Sequence, residues 1–242
     1  MREDPEPSSN GKNHSGTLRR LADGRTQGME PRGPLEVLKR FREPSKRPIP
    51  GEQCEMCGAP IVEGHSHVVN LDARNLLCTC RACFLLFTHG GAAQGKYRAV
   101  PDRYLYEPAF RMTAAQWDSI QIPVNMAFFF FNSTLDKIVA FYPSPAGATE
   151  SLLDLETWEE VMRSNPAFAD PAADVEALLL TRSEVAIECW LVPIDAAYDL
   201  VGRVKLHWKG FDGGEEVRRE IEAFFSTLRD RSKLVTHGET DD

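Results

Sequence analysis

Residues 122–142 read IPVNMAFFFFNSTLDKIVAFY, and the four consecutive phenylalanines, Phe128 to Phe131, decide what kind of fold the chain can build. Successive side chains of a strand point to opposite faces. An unbroken apolar run therefore fits a strand that is covered on both sides. The polar turn Ser133-Thr134-Leu135-Asp136 separates this run from a second β-rich run, Lys137 to Tyr142, which predicts an antiparallel hairpin.

Upstream, Thr113 can cap a short helix AAQWDSI. Downstream, LDLETWEEVMRSNP offers Asp154 as N-cap, Trp158, Val161 and Met162 on one face, and Pro166 as the stop. VEALLLTR and VAIECWLV read as two further strands, with Cys189 of the second a buried small hydrophobe. In VPIDAAYDLVGRVKLHW, Asp195 can cap a helix whose apolar face includes Tyr198, Val201 and Val204. The alternation of Val204, Leu206 and Trp208 leaves a strand reading of GRVKLHW open. DGGEEVRREIEAFFSTLRDR carries an apolar helical stripe of Val217, Ile221, Phe224, Phe225 and Leu228. Strands mixed with helices, without a regular βαβ alternation, predict an α+β domain over residues 113–233.

The second informative stretch is LLCTCRACF, residues 76–84, which faces a counting problem with Cys54-Glu-Met-Cys57-Gly58 upstream. Five cysteines lie close together in sequence, and a tetrahedral site takes four. Cys80 and Cys83 repeat the two-residue gap of Cys54 and Cys57, whereas Cys78 and Cys80 are separated by one residue inside an apolar strand. Spacing thus predicts Cys54, Cys57, Cys80 and Cys83 as ligands, with Cys78 on the same strand face as Cys80 but not needed. Zinc is the expected metal and iron the alternative, since tetrahedral thiolate sites hold both. Bulky Phe84 after the second turn weakens a rubredoxin-like reading, and the order of gaps does not match a plant-type iron–sulfur pattern. His67, just before VVNL, could replace a cysteine or hydrogen-bond a thiolate. With four cysteines completing the site, His65 and His67 read as surface or supporting residues, and Cys78 and His67 stand only as substitute ligands. Four protein ligands leave no open position, so the site reads as structural.

The runs HVVNL and LLC around the turn DARN make residues 51–92 a small zinc-ribbon-like hairpin module. Residues 93–112, whose YRAVPDRYLYEPAF holds two prolines, read as an extended connector. Residues 1–50 and 234–242 read as disordered tails, with an amphipathic turn over Leu35 to Arg42 as the one alternative in the first.

The net charge of −8 is unevenly placed: residues 1–50 hold 11 Lys/Arg against 7 Asp/Glu, and residues 51–242 hold 17 against 29. An acidic body repels phosphate backbones, which argues against nucleic acid as a partner. The N-terminus has no apolar run, and IPVNMAFFFF is too short to span a bilayer. A cytoplasmic protein without membrane insertion is expected, in which clustered cysteines serve as metal ligands before disulfides. No Gly-x-Ser-x-Gly, phosphate loop, His-Glu-x-x-His or dinucleotide fingerprint occurs. FYPSPAGATES, residues 141–151, reads as a rigid turn leading into a helix. An enzymatic reading would place a pocket there, lined by Thr149, Glu150 and Ser151, but no nearby histidine or lysine could activate a nucleophile.

CEMCGAP, HSHVVNL, LLCTCRACFLLF, KYRAVPDR, IPVNMAFFFF, FYPSPAGATES and VPIDAAYDLVG together resemble the bacterial DUF5947 family over about residues 51–232. The resemblance implies an association with nickel–iron hydrogenase gene clusters, with hydrogenase subunits as the protein partner, and assigns no catalytic residue. The expectation is a non-catalytic, metal-binding accessory protein acting in assembly, maturation or protein interaction. A rubredoxin-like electron carrier and an enzyme using the FYPSPAGATES turn are the alternatives.

Overall fold

The structure, a computed structural model, describes residues 53–151, 155–168, 170–210 and 212–235. The expected N-terminal tail with its Leu35 to Arg42 turn, and the Asp154 cap, lie outside the described residues. All described residues fall within one compact unit, Pro48–Asp242.

The phenylalanine hairpin forms as its pattern requires. Strand β5 (Met126–Asn132) pairs antiparallel with β6 (Lys137–Ser144), Phe129 opposite Ala140. They belong to a seven-stranded sheet with β4 (Leu105–Tyr106), β7 (Gly147–Ser151), β8 (Glu176–Arg182), β9 (Ile187–Pro193) and β10 (Lys233–Leu234), in the order β10-β4-β9-β8-β5-β6-β7. Every pairing is antiparallel except β10 with β4.

Both faces of this sheet are covered. Phe128, Leu179 and Trp190 pack under helix α4 (Ile194–His207) and helix α5 (Gly214–Arg231). Phe129, Leu178, Leu180 and Cys189 pack on the other side against Trp117 of α2 (Ala114–Ser119) and Trp158 of α3 (Leu155–Ser164). Phe129 and Trp158 stack with ring centroids 4.0 Å apart. Residues one apart in sequence therefore serve opposite cores, which is why the run is uninterrupted. The result is a mixed α+β fold with five α-helices among the described residues.

Several boundaries differ from the expectations. Helix α4 starts at Ile194 with Pro193 at its N-cap, so Asp195 sits in the first turn instead of capping it. GRVKLHW continues that helix to His207, because Leu200, Val201 and Val204 find a buried face at helical spacing. Tyr198 lies at the margin of that face, about one-third exposed. FYPSPAGATES forms the β6–β7 hairpin, with Pro143 opposite Ala148, and helix α3 begins soon after it, at Leu155. Pairing with β5 stops at Phe141, so Pro143 has a partner strand on one side only, where proline is tolerated. Leu234 and Val235, expected in the closing tail, extend the sheet alongside Tyr106.

A second sheet of three antiparallel strands carries the cysteines, in the order β2-β1-β3: β1 (Ser66–Asn70), β2 (Asn75–Thr79) and β3 (Tyr97–Ala99). The stretch expected as a connector gives one strand to each sheet, β3 and β4. Val69 and Val100 join the core beneath α4 and α5. Arg98 donates to Asp174 at 3.0 Å, and Arg103 Nε donates to Glu176 Oε1 at 2.7 Å while its Nη2 donates to Oε2. Glu176 is 1% exposed. Arg103→Ala would leave its carboxylate buried with only the Ala172 amide for company, and should cost about 3 kcal/mol; denaturant unfolding checks the loss, and Glu176→Leu in the same chain should recover part of it.

Entry into α5 depends on one glycine. Gly213 holds φ +85°, and a Cβ there would meet Val217 Cγ1 at 2.7 Å and the Trp208 ring at 3.2 Å. Gly213→Ala combines left-handed backbone strain with a clash in the core, and should cost about 2–3 kcal/mol by denaturant unfolding. In the following turn, Glu216 pairs with Lys209 and with His207. Lys209 first and then His207 hold its carboxyl at about 2, so its contribution is complete above the ordinary 4.5 and is lost as pH falls towards 2.

Candidate metal centre

Two short turns bring four cysteines together. In the first, the Cys54 amide donates to Ala59 O at 2.7 Å and the Gly58 amide to Cys54 O at 2.8 Å, with Gly58 at φ +74° closing the turn. The left-handed angle explains the glycine, since nothing lies within 4 Å of a Cβ built there. In the second, Cys80 is the N-cap of the short helix α1 (Arg81–Leu85), which carries Cys83. Glu55 ties the two turns together: its amide donates to Cys78 O at 2.9 Å, and the Cys78 amide donates to its Oε2 at 2.6 Å.

The Sγ atoms of Cys54, Cys57, Cys80 and Cys83 all lie within 4.8 Å of one another, a group able to hold a metal ion. Cys57 and Cys80 Sγ are 3.7 Å apart, which matches the sulfur separation around a tetrahedral ion with bonds of about 2.3 Å. Cys54 is buried and Cys57 is exposed, so the group sits at the surface with one wall against the protein.

Its electrostatics favour a cation. Burial pushes the Cys54 thiol up, but hydrogen bonds from the backbone amides of Cys80, Cys57 and Met56 together outweigh it and hold the thiol at about 6. Burial first, and then the neighbouring sulfurs of Cys57, Cys80 and Cys54, push Cys83 up to about 12. Four crowded sulfurs cannot all ionise beside one another unless a positive ion compensates them.

Cys78 and His67 do not belong to this group. Strand β2 ends at Thr79, and Cys80 follows it still extended, at φ −71° and ψ 160°, before α1 begins. Cys78 instead pairs in register with His67 and lies in a separate group with His65 and His67. Sequence reasoning missed this group, although its signal was present: closing the hairpin at the DARN turn puts Cys78 opposite the second histidine of His65-Ser66-His67. Cys189 is fully buried in the core beneath α2 and α3, and burial drives its thiol well above the ordinary range.

Among the described residues, no helix is long and apolar enough to cross a membrane. No curated protein and no solved structure matches the chain. Residues 53–232, from the first cysteine turn to the end of α5, match a family of unknown function, DUF5947. Cysteine turns, phenylalanine hairpin and closing helix thus all fall within one family's span, and the chain belongs to the DUF5947 family.

Proposed function

We propose that the protein is a non-catalytic accessory protein, acting in assembly or protein interaction, in which Cys54, Cys57, Cys80 and Cys83 hold a structural zinc ion in a zinc-ribbon-like module. The observation that carries this reading is the convergence of the four Sγ atoms, all from two Cys-x-x-Cys turns and none left over for an open position. The metal's task follows from what α1 lacks. This helix has five residues and buries none of them, far below the length at which a helix stands alone. Ligands at its N-cap and third residue would hold it, and it presents Leu85 and Leu86 to solvent, 51% and 64% exposed. Apolar side chains on a metal-stapled support suit contact with another protein.

Hydrogenase subunits are the proposed partner, a link that rests on the family resemblance. The test is capture from the native cell on the tagged full chain. Recovery of hydrogenase subunits, lost when Leu85 and Leu86 are both replaced by aspartate, is the expected outcome; a capture that contains no hydrogenase subunit would remove that partner. An iron-loaded, red protein with a reversible one-electron couple would replace the structural reading with electron transfer.

A further inference from the structure

His65, His67 and Cys78 form a second set of metal-type ligands. One ring nitrogen of each histidine and the Cys78 Sγ lie within 4.8 Å of one another. The hairpin assembles them: His67 and Cys78 are opposite in the β1–β2 register, and the His65 ring lies 4.7 Å from that of His67, centroid to centroid, at 58°.

In both rings Nδ1 faces an acceptor. A carbonyl oxygen can only accept, so His65 Nδ1, 2.9 Å from Val62 O, carries a proton. An ionised carboxylate likewise only accepts, so His67 Nδ1 donates to Asp195 Oδ2 at 2.8 Å. With Nδ1 protonated, Nε2 is the atom of the neutral ring that carries the unshared pair. For His65 that atom is buried and has no hydrogen-bond partner, a condition that folded proteins normally avoid. An acceptor behind Nδ1 and an unshared pair at Nε2 are what orient histidines towards a metal.

We propose that His65, His67 and Cys78 hold a second divalent cation of the zinc class, with Asp195 and the Val62 carbonyl as positioning groups behind the rings. Two imidazoles and one thiolate make a borderline-soft set that suits zinc. Three protein ligands leave a fourth corner for water or another small donor. His65, His67 and Asp195 also line a cleft of about 710 Å³ with Arg81, Arg203 and Arg231, which gives such a donor a route in. The four-cysteine group and this one share no ligand, so a substitution in one leaves the ligand set of the other complete.

The full chain, equilibrated with zinc and freed of excess by gel filtration, should carry about two zinc ions, and X-ray absorption should show nitrogen as well as sulfur around the metal. Cys78→Ser and His65→Gln should each lower the count to about one and leave an all-sulfur shell. Asp195→Asn should keep both ions but weaken the second roughly tenfold or more. Circular dichroism confirms that each variant is folded, and His65, on a loop before β1, provides the readout if Cys78→Ser disturbs the strand. One zinc ion per wild-type chain in an all-sulfur shell, unchanged in Cys78→Ser and His65→Gln, would overturn the proposal.

Discussion

Replacing Cys80 by serine should remove the metal of the four-cysteine group and melt the structure that depends on it. Cys80 supplies a ligand from the N-cap position of α1, and serine, which keeps the backbone amide and caps a helix well, removes only that sulfur. Binding energy at a structural metal site is largely folding energy, about 10 kcal/mol or more in small zinc modules. The loss should be local, however. Among the described residues of the first turn and α1, Cys54 is the one buried side chain. Strand β1 is anchored by Val68 and Val69, and Val69 belongs to the larger core. Hydrogen exchange should therefore report fast exchange through residues 53–60 and 80–87, with β1 still protected. Cys78→Ser should leave the four-cysteine ion in place, because Cys78 lies outside that group. Retention of a full complement of metal in Cys80→Ser would break the ligand assignment.

The second large effect comes from the sheet. Phe128→Ala and Phe129→Ala should each cost about 3–5 kcal/mol, read by denaturant unfolding. The two rings are 0% and 1% exposed on opposite faces. Phe128 lies in the core under α4 and α5, and Phe129 in the core against Trp158. A sheet with one wet face would make one of these substitutions nearly free, since neighbouring residues never share a face. The two losses should also add to within about half a kcal/mol in the double variant only if the two cores are independent. Coupling between them would be the sign that the sheet moves as one body.

These two predictions also mark what could be read from the sequence and what could not. Phe128 to Phe131 announced a doubly covered strand because burial on both faces leaves no polar alternation, and that is a local property. The cysteine turns were equally legible, since a two-residue gap is itself the geometry of the turn. Strands β4 and β10 were not: each is two residues long, and nothing but pairing with a distant segment makes Leu105 or Lys233 a strand residue. GRVKLHW carries both periodicities, and only the neighbouring sheet face under Leu200 and Val204 selects the helix. Pro143 suggested a turn, but proline's missing amide costs nothing where β6 has no partner on its second side. Cys78 and His67 stood in the sequence as substitute ligands of the four-cysteine site and His65 as a supporting residue; the register His67 to Cys78 is what joins them in a group of their own.

X-ray absorption on the chain carrying both His65→Gln and Cys78→Ser isolates the proposed zinc ion of the two cysteine turns and its four sulfurs. Zinc in one environment of four sulfurs at about 2.3 Å is the predicted result. Iron in place of zinc, or a shell containing nitrogen or oxygen, would contradict it.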